Sequence, residues 1–241
     1  MSAPEPGAGA TVQPRGGGLL RSTAVFSGMT LLSRISGFAR DMLQATLFGT
    51  GGAIGAFIVA YRIPNFLRRI FAEGSMAMAF VPVLNEIREK GDKAALKDFI
   101  DHMAGALCAV VLVVTALGML AAPLLARLFA PGWLDDPELL RQTGQMLRIT
   151  FPYLLFISLM ALSASILNTH GKFGLPAFTP VLHNLTLIAA MLWLAPRFNV
   201  PPQGLAWGVL IAGFLQLALL WPALGRLGLR PRLRMGFRHP E

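Results

Sequence analysis

Charge is scarce in this sequence. Lys, Arg, Asp and Glu make up 14% of its 241 residues, against 54% hydrophobic residues. A soluble domain carries about 25% charged residues, and the mean hydropathy of +0.59 points the same way. The chain reads as a membrane protein. Cysteine is nearly absent too: Cys108 stands alone inside an apolar stretch, can form no disulfide within the chain, and reads as a small core residue. No Ser/His/Asp grouping, phosphate loop or pair of acids in a soluble cleft is found, so no enzyme is expected. His102, His170 and His183 lack metal-ligand spacing, so neither a metal nor a cofactor is expected. Residues 1–18, MSAPEPGAGATVQPRGGG, lack the early basic charge and following apolar core of a signal peptide. Rich in Pro, Gly and Ala, they read as a disordered cytoplasmic tail.

What charge there is has a strong sign. The net charge is +9 and the isoelectric point is near 11, a balance that nucleic-acid binders share. Here, however, the basic residues sit mainly between long uncharged stretches, as they do in the cytoplasmic loops of membrane proteins. Nucleic acid is therefore excluded as a partner.

The uncharged stretches are Met103–Ala126, Ile149–Thr169, Phe173–Pro196 and Phe198–Gly225, of 24, 21, 24 and 28 residues. A spanning helix needs roughly 20 predominantly apolar residues. Two further spans precede them, at about 20–48 and 53–84, each interrupted by charge. The expected architecture is an all-α bundle of six transmembrane helices over residues 19–228, with spans near 20–48, 53–84, 102–128, 146–169, 173–196 and 201–225. A basic cytoplasmic segment, 229–241, follows. With the N-terminus inside, twelve Lys and Arg fall on the cytoplasmic side and at most three (Arg127, Arg141 and Arg197) on the other. The positive-inside rule then places both termini in the cytoplasm. Arg148, at the start of the fourth span, reads as an interfacial anchor.

The first two spans carry seven ionisable residues: Arg34, Arg40, Asp41, Arg62, Arg68, Arg69 and Glu73. Each costs roughly 2.5–3.5 kcal/mol at a helix centre on insertion scales, although those near span ends, with Arg62 and Glu73 as candidates, can snorkel to the headgroups. Arg34 and Asp41, two helical turns apart, share a face. Arg69 and Glu73 have ion-pair spacing. The small residues Ser33, Ser36 and Gly37 allow a neighbouring backbone or a ligand to come close. Five arginines against two acids leave an excess of three positive charges, which internal pairing cannot neutralise. An anionic ligand is expected, because the planar guanidinium holds phosphate through two bonds and cannot shed its charge.

The stretches LLSRISGFARD (Leu31 to Asp41) and RIPNFLRRIFAEGSMAMAFVPV (Arg62 to Val83) closely resemble the MurJ/MviN family, the lipid II flippases of bacterial cell-wall synthesis. ITFPYLLFISL, ILNTHGKFGLPAFTPVLHN and LAWGV extend the resemblance over about Leu20 to Arg234. It implies one six-helix lobe of a two-lobed transporter of the multidrug and polysaccharide exporter superfamily, working by alternating access. It also implies a bacterial plasma-membrane location and lipid II, the undecaprenyl-pyrophosphate-linked disaccharide-pentapeptide, as substrate. Membrane lipids and other cell-wall synthesis proteins are the further expected partners. By resemblance, Arg34, Arg40 and Arg68 are the cavity arginines that meet the pyrophosphate, with Asp41, Arg62, Arg69 and Glu73 as supporting charges. Two departures stand out. Family members often carry an acid early in the second span, where this chain has Gly55. A member also continues through a second lobe, and that lobe would supply the other cavity wall, a further arginine and a sodium site. The expectation is thus an N-terminal half. A related polysaccharide-lipid or drug exporter, or a truncated non-transporting scaffold, are the alternatives.

Overall fold

The computed structural model describes residues 16–70 and 75–232. Among these residues no strand occurs and the regular structure is helical: α1 (Gly16–Phe48), α2 (Gly52–Arg68), α3 (Ser75–Glu89), α4 (Lys93–Leu120), α5 (Ala122–Phe129), α6 (Pro137–Thr150), α7 (Tyr153–Thr169), α8 (Gly174–Ala189) and α9 (Pro202–Arg226). Four helical runs are long and apolar enough to cross a membrane: Lys93–Leu120, Pro137–Thr169, Gly174–Arg197 and Pro202–Arg226. Each overlaps one of the four uncharged stretches, and the first two begin well before theirs. The helix α1, at 33 residues, is about 50 Å long at 1.5 Å per residue.

Proline and capping set where the helices start and break. Asp92 begins α4 by accepting from the amides of Ala94 and Ala95 at 2.9 and 3.0 Å. Asp136 does the same for Glu138 and Leu139 at 3.1 and 3.0 Å, with Pro137 in the first turn, where a missing N–H costs nothing. This cap starts α6 at 137, nine residues before the expected span. Pro123 follows the change of direction between α4 and α5, and Pro152 separates α6 from α7. Within the expected span at 53–84 the described residues form α2 and α3, and residues 71–74 lie outside them. Past α8 the backbone widens into a π turn at Ala190–Leu194.

The core lies where α7 and α9 pack together, with α8 against α9, α2 against α6 and α4 against α7. Its fully covered side chains include Phe80, Ile100, Leu147, Phe151, Leu154, Leu162 and Leu205. Small residues set the closest approach. A Cβ placed on Gly204 would meet Ala195 Cα at 2.5 Å, and one on Gly208 would meet Ala190 Cβ at 2.5 Å. Four positions apart on α9, these glycines let the π turn sit directly on the helix, as small-residue faces do in membranes. Gly171 takes φ of +71° to end α7, and Lys172 N–H donates back to Leu167 O at 2.9 Å. By contrast, α1 packs almost entirely against α8 and its π continuation. It leaves Leu31, Leu32, Ile35, Phe38 and Met42 uncovered.

Candidate functional site

A cavity of about 690 Å³ opens between α1, α7 and α8, and the end of α2 reaches it. Arg34 from α1 and Arg68 from α2 both line it, with Ser33, Asn168 and Thr179 among the polar residues of its wall. Two of the three candidate arginines therefore converge from separate helices. Arg34 has no hydrogen-bond or ion-pair partner among the described residues. Arg68 Nε donates to Asn65 Oδ1 at 3.0 Å, one turn back on α2, so part of its fork is fixed in direction. Alanines and Met160 of α7 make the facing wall largely apolar. No acid lines this cavity among the described residues.

Arg40 lies two turns beyond Arg34, and its geometry is fully specified. Its Nη1 donates to Asn184 Oδ1 at 2.8 Å, while Nε and Nη2 donate to Asp41 Oδ1 at 3.0 and 2.7 Å. Asp41 thus neutralises its neighbour Arg40, although it shares a helical face with Arg34. Asn184, buried on α8, donates in turn to Ser33 O and Ser36 Oγ, both at 3.1 Å. A Cβ on Gly37 would stand 3.4 Å from Asn184 Nδ2. The three small residues at 33, 36 and 37 therefore make room for one asparagine from the next helix, and this locks α1 to α8.

Behind this lock lies a polar and aromatic cluster. Tyr61 of α2 places its hydroxyl 3.3 Å from His183 Nε2. The two rings stack at 6.2 Å, and Tyr153 of α7 tilts against His183 at 6.0 Å. Arg40 bonds to Asn184, the neighbour of His183 on α8, and Arg68 lies two turns along α2 from Tyr61, so the two arginines approach this cluster from different helices. Sequence reasoning set His183 aside and missed Asn184, Tyr61, Asn65 and Asn168. A signal existed in the adjacent polar pair His183–Asn184 within an otherwise apolar span, since polar groups at that depth need partners.

Arg62 and Arg69 are exposed on α2 and its extension, outside the cavity wall. Glu73, and with it the Arg69–Glu73 pair, lies outside the described residues. Gly55, where the family pattern suggests an acid, is filled from outside: a Cβ there would meet Trp133 Cζ2 at 2.9 Å. The indole of the α5–α6 loop takes the space that a carboxylate would need.

A family model described as Lipid II flippase MurJ matches residues 44–241. The chain belongs to the MurJ family. A protein of Haemophilus influenzae named "Probable lipid II flippase MurJ" is 43% identical over 217 residues, covering 87% of this chain and 42% of that protein. The "Lipid II flippase MurJ" of Burkholderia cenocepacia is 40% identical over 226 residues, covering 92% and 44%. A solved structure, "Lipid II flippase MurJ, inward closed conformation", matches with a TM-score of 0.72 at 30% identity. It covers 90% of this chain and 44% of that one. The chain thus spans less than half the length of the relatives it matches. Membership of the MurJ family, together with the four apolar spanning helices, makes it a multi-pass membrane protein of a transporter family.

Proposed function

We propose that this chain is the N-terminal lobe of a lipid II flippase and that its arginines form one wall of the substrate cavity. The observation that carries this reading is the meeting of Arg34 and Arg68 in one cavity that no acid lines among the described residues. The Arg34 guanidinium, without a carboxylate partner among the described residues, is stabilised by an anion that fits its two parallel donors. The pyrophosphate of lipid II, the substrate named for the relatives, has that geometry. Arg34 and Arg68 hold the phosphates, while Arg40, paired with Asp41 and bonded to Asn184, holds the wall of α1 in place and meets the substrate only if that pairing loosens.

In this reading the lobe has six spans, α2 and α3 together forming one, and both termini are cytoplasmic, so that the cavity opens in the cytoplasmic half. Lipid II enters there, and a second lobe closes the other side. Rocking of one lobe against the other moves the substrate outward. No bond is made or broken. Other cell-wall synthesis proteins are partners on the outer side, where the disaccharide-pentapeptide is delivered.

An exporter of cationic drugs needs acids where this cavity has arginines, which disfavours that alternative. The test is complementation of cells depleted of their flippase by the full-length gene carrying Arg34→Ala, Arg40→Ala or Arg68→Ala. Loss of growth with Arg34→Ala and Arg68→Ala, at normal membrane levels, is expected. Normal growth of all three variants would defeat the phosphate-clamp reading and favour a scaffold role.

A further inference from the structure

A second basic pocket lies at the opposite end of the bundle from the arginine cavity, where α5 turns into α6. It encloses about 500 Å³ and is lined by Arg127, Arg141 and Arg148 together with Pro123, Leu140 and Gln145. Arg141, Gln145 and Arg148 recur at four and three residues, so they share one face of α6, and Arg127 faces them from α5. Glu138 engages Arg141 through two bonds, at 2.8 and 2.6 Å, so that pair is neutral. Asp136 is committed to capping α6. Arg127 has no polar partner among the described residues, and Arg148 spends only its Nε, on Met119 O at 3.4 Å. Two cationic charges are therefore uncompensated beside a concave wall.

What adjoins the pocket narrows the ligand class. Val113, Leu117, Leu120, Leu124 and Leu128 run up α4 and α5 at spacings of three and four residues, and all are exposed; Leu120 is 78% uncovered. These uncovered apolar side chains suit acyl chains, and Leu124 and Leu128 neighbour Pro123 and Arg127 of the basic pocket along α5. A free anion would need the arginines and not the apolar side chains. Together they match an amphiphile with an anionic phosphate head and a hydrocarbon part.

We propose that Arg127 and Arg148 form a headgroup site for an anionic phospholipid whose acyl chains lie along α4 and α5. With the termini in the cytoplasm, this site faces the outer leaflet. It is separate from the Arg34–Arg68 cavity and does not depend on what that cavity carries. The pocket adjoins the α5–α6 corner, whose Trp133 lies against Gly55 of α2.

Native mass spectrometry of the full-length protein with added phosphatidylglycerol or phosphatidylcholine tests the proposal. Wild-type protein is expected to retain phosphatidylglycerol in preference to phosphatidylcholine. The Arg127→Gln/Arg148→Gln double variant should bind phosphatidylglycerol roughly tenfold or more weakly, from about 1 kcal/mol for each basic residue near an anionic surface. Arg127→Lys/Arg148→Lys should fall between the two. Arg197→Gln, which removes a charge from the same side of the bundle but outside the pocket, should retain phosphatidylglycerol as the wild type does. Unchanged retention by the double Gln variant, or equal retention of phosphatidylcholine, overturns the proposal. Displacement of phosphatidylglycerol by inorganic phosphate alone would show a free-anion site and also overturn it.

Discussion

Arg40 and Asn184 lie 144 positions apart in the chain and 2.8 Å apart in the fold. Through Asn184 the same contact reaches Ser33 and Ser36, so one buried amide serves a candidate site arginine and the packing of its helix. Asn184→Ala removes an acceptor from Arg40 and a donor from the α1 backbone. The cost expected for a buried network left half satisfied is about 1–3 kcal/mol. It should appear as a lower unfolding midpoint of the detergent-solubilised full-length protein. An unchanged midpoint would mean that α1 is held by apolar contact alone.

Arg34 separates charge from shape. Arg34→Lys keeps the positive charge but replaces two parallel donors with a point charge. If the cavity recognises a pyrophosphate, Lys should support growth of flippase-depleted cells only partly and Ala should fail. Equal performance of Lys and Arg would show that charge alone suffices.

Gly204 offers a test of packing at a distance from the arginines. A Cβ there collides with the backbone of Ala195 at 2.5 Å, and backbone cannot swing aside as a side chain can. Gly204→Val should therefore destabilise the α9 seam by about 1–3 kcal/mol. Gly28→Ala, where nothing lies within 4 Å, should be tolerated. The two are compared by unfolding midpoint and by yield in the membrane.

The lone cysteine makes topology measurable. In a Cys108→Ser background, Ser165→Cys on the cavity wall should react with a membrane-impermeant thiol reagent only from the cytoplasmic face. Leu134→Cys, in the α5–α6 loop, should react only from the outer face. The opposite pattern would invert the lobe.

Outward passage of an anionic lipid-linked substrate should respond to membrane potential, by about 2.3 kcal/mol per elementary charge per 100 mV. Flipping by the full-length protein in proteoliposomes, measured with an imposed potential and without, checks this. A rate independent of potential would mean that charge moves in a compensated form.

The sequence was most informative where one physical effect dominated. Absence of charge over more than 20 residues marked α4, α7, α8 and α9, because a charge in lipid is too costly to pass unnoticed. Arg34 and Arg68 were legible as candidates for the same reason, since each interrupts an apolar run. Their meeting in one cavity was not legible, because it depends on how α1, α2, α7 and α8 pack. The partners of Arg40 were half legible: Asp41 is adjacent, but Asn184 comes from a distant span and carries no charge to betray it. The early start of α6 depended on Asp136 and Pro137, local signals that lie outside the apolar stretch. Gly55 looked like a simple departure from a family pattern until Trp133 was found against it.

The packing of α1 almost wholly against α8 has a mechanical consequence. The amide of Asn184 ties Ser33 and Arg40 to α8, and Arg34 lies between them on the same helix. Arg68 arrives on a different body, the end of α2, which is anchored through α6 by the Thr150 hydroxyl on Ala60 O at 3.0 Å. Any sliding between those two bodies would change the span between Arg34 and Arg68 without breaking the Asn184 and Thr150 bonds that hold each body. The grip on a doubly charged ligand would then tighten or slacken like a vernier, set by helix displacement and not by side-chain rearrangement.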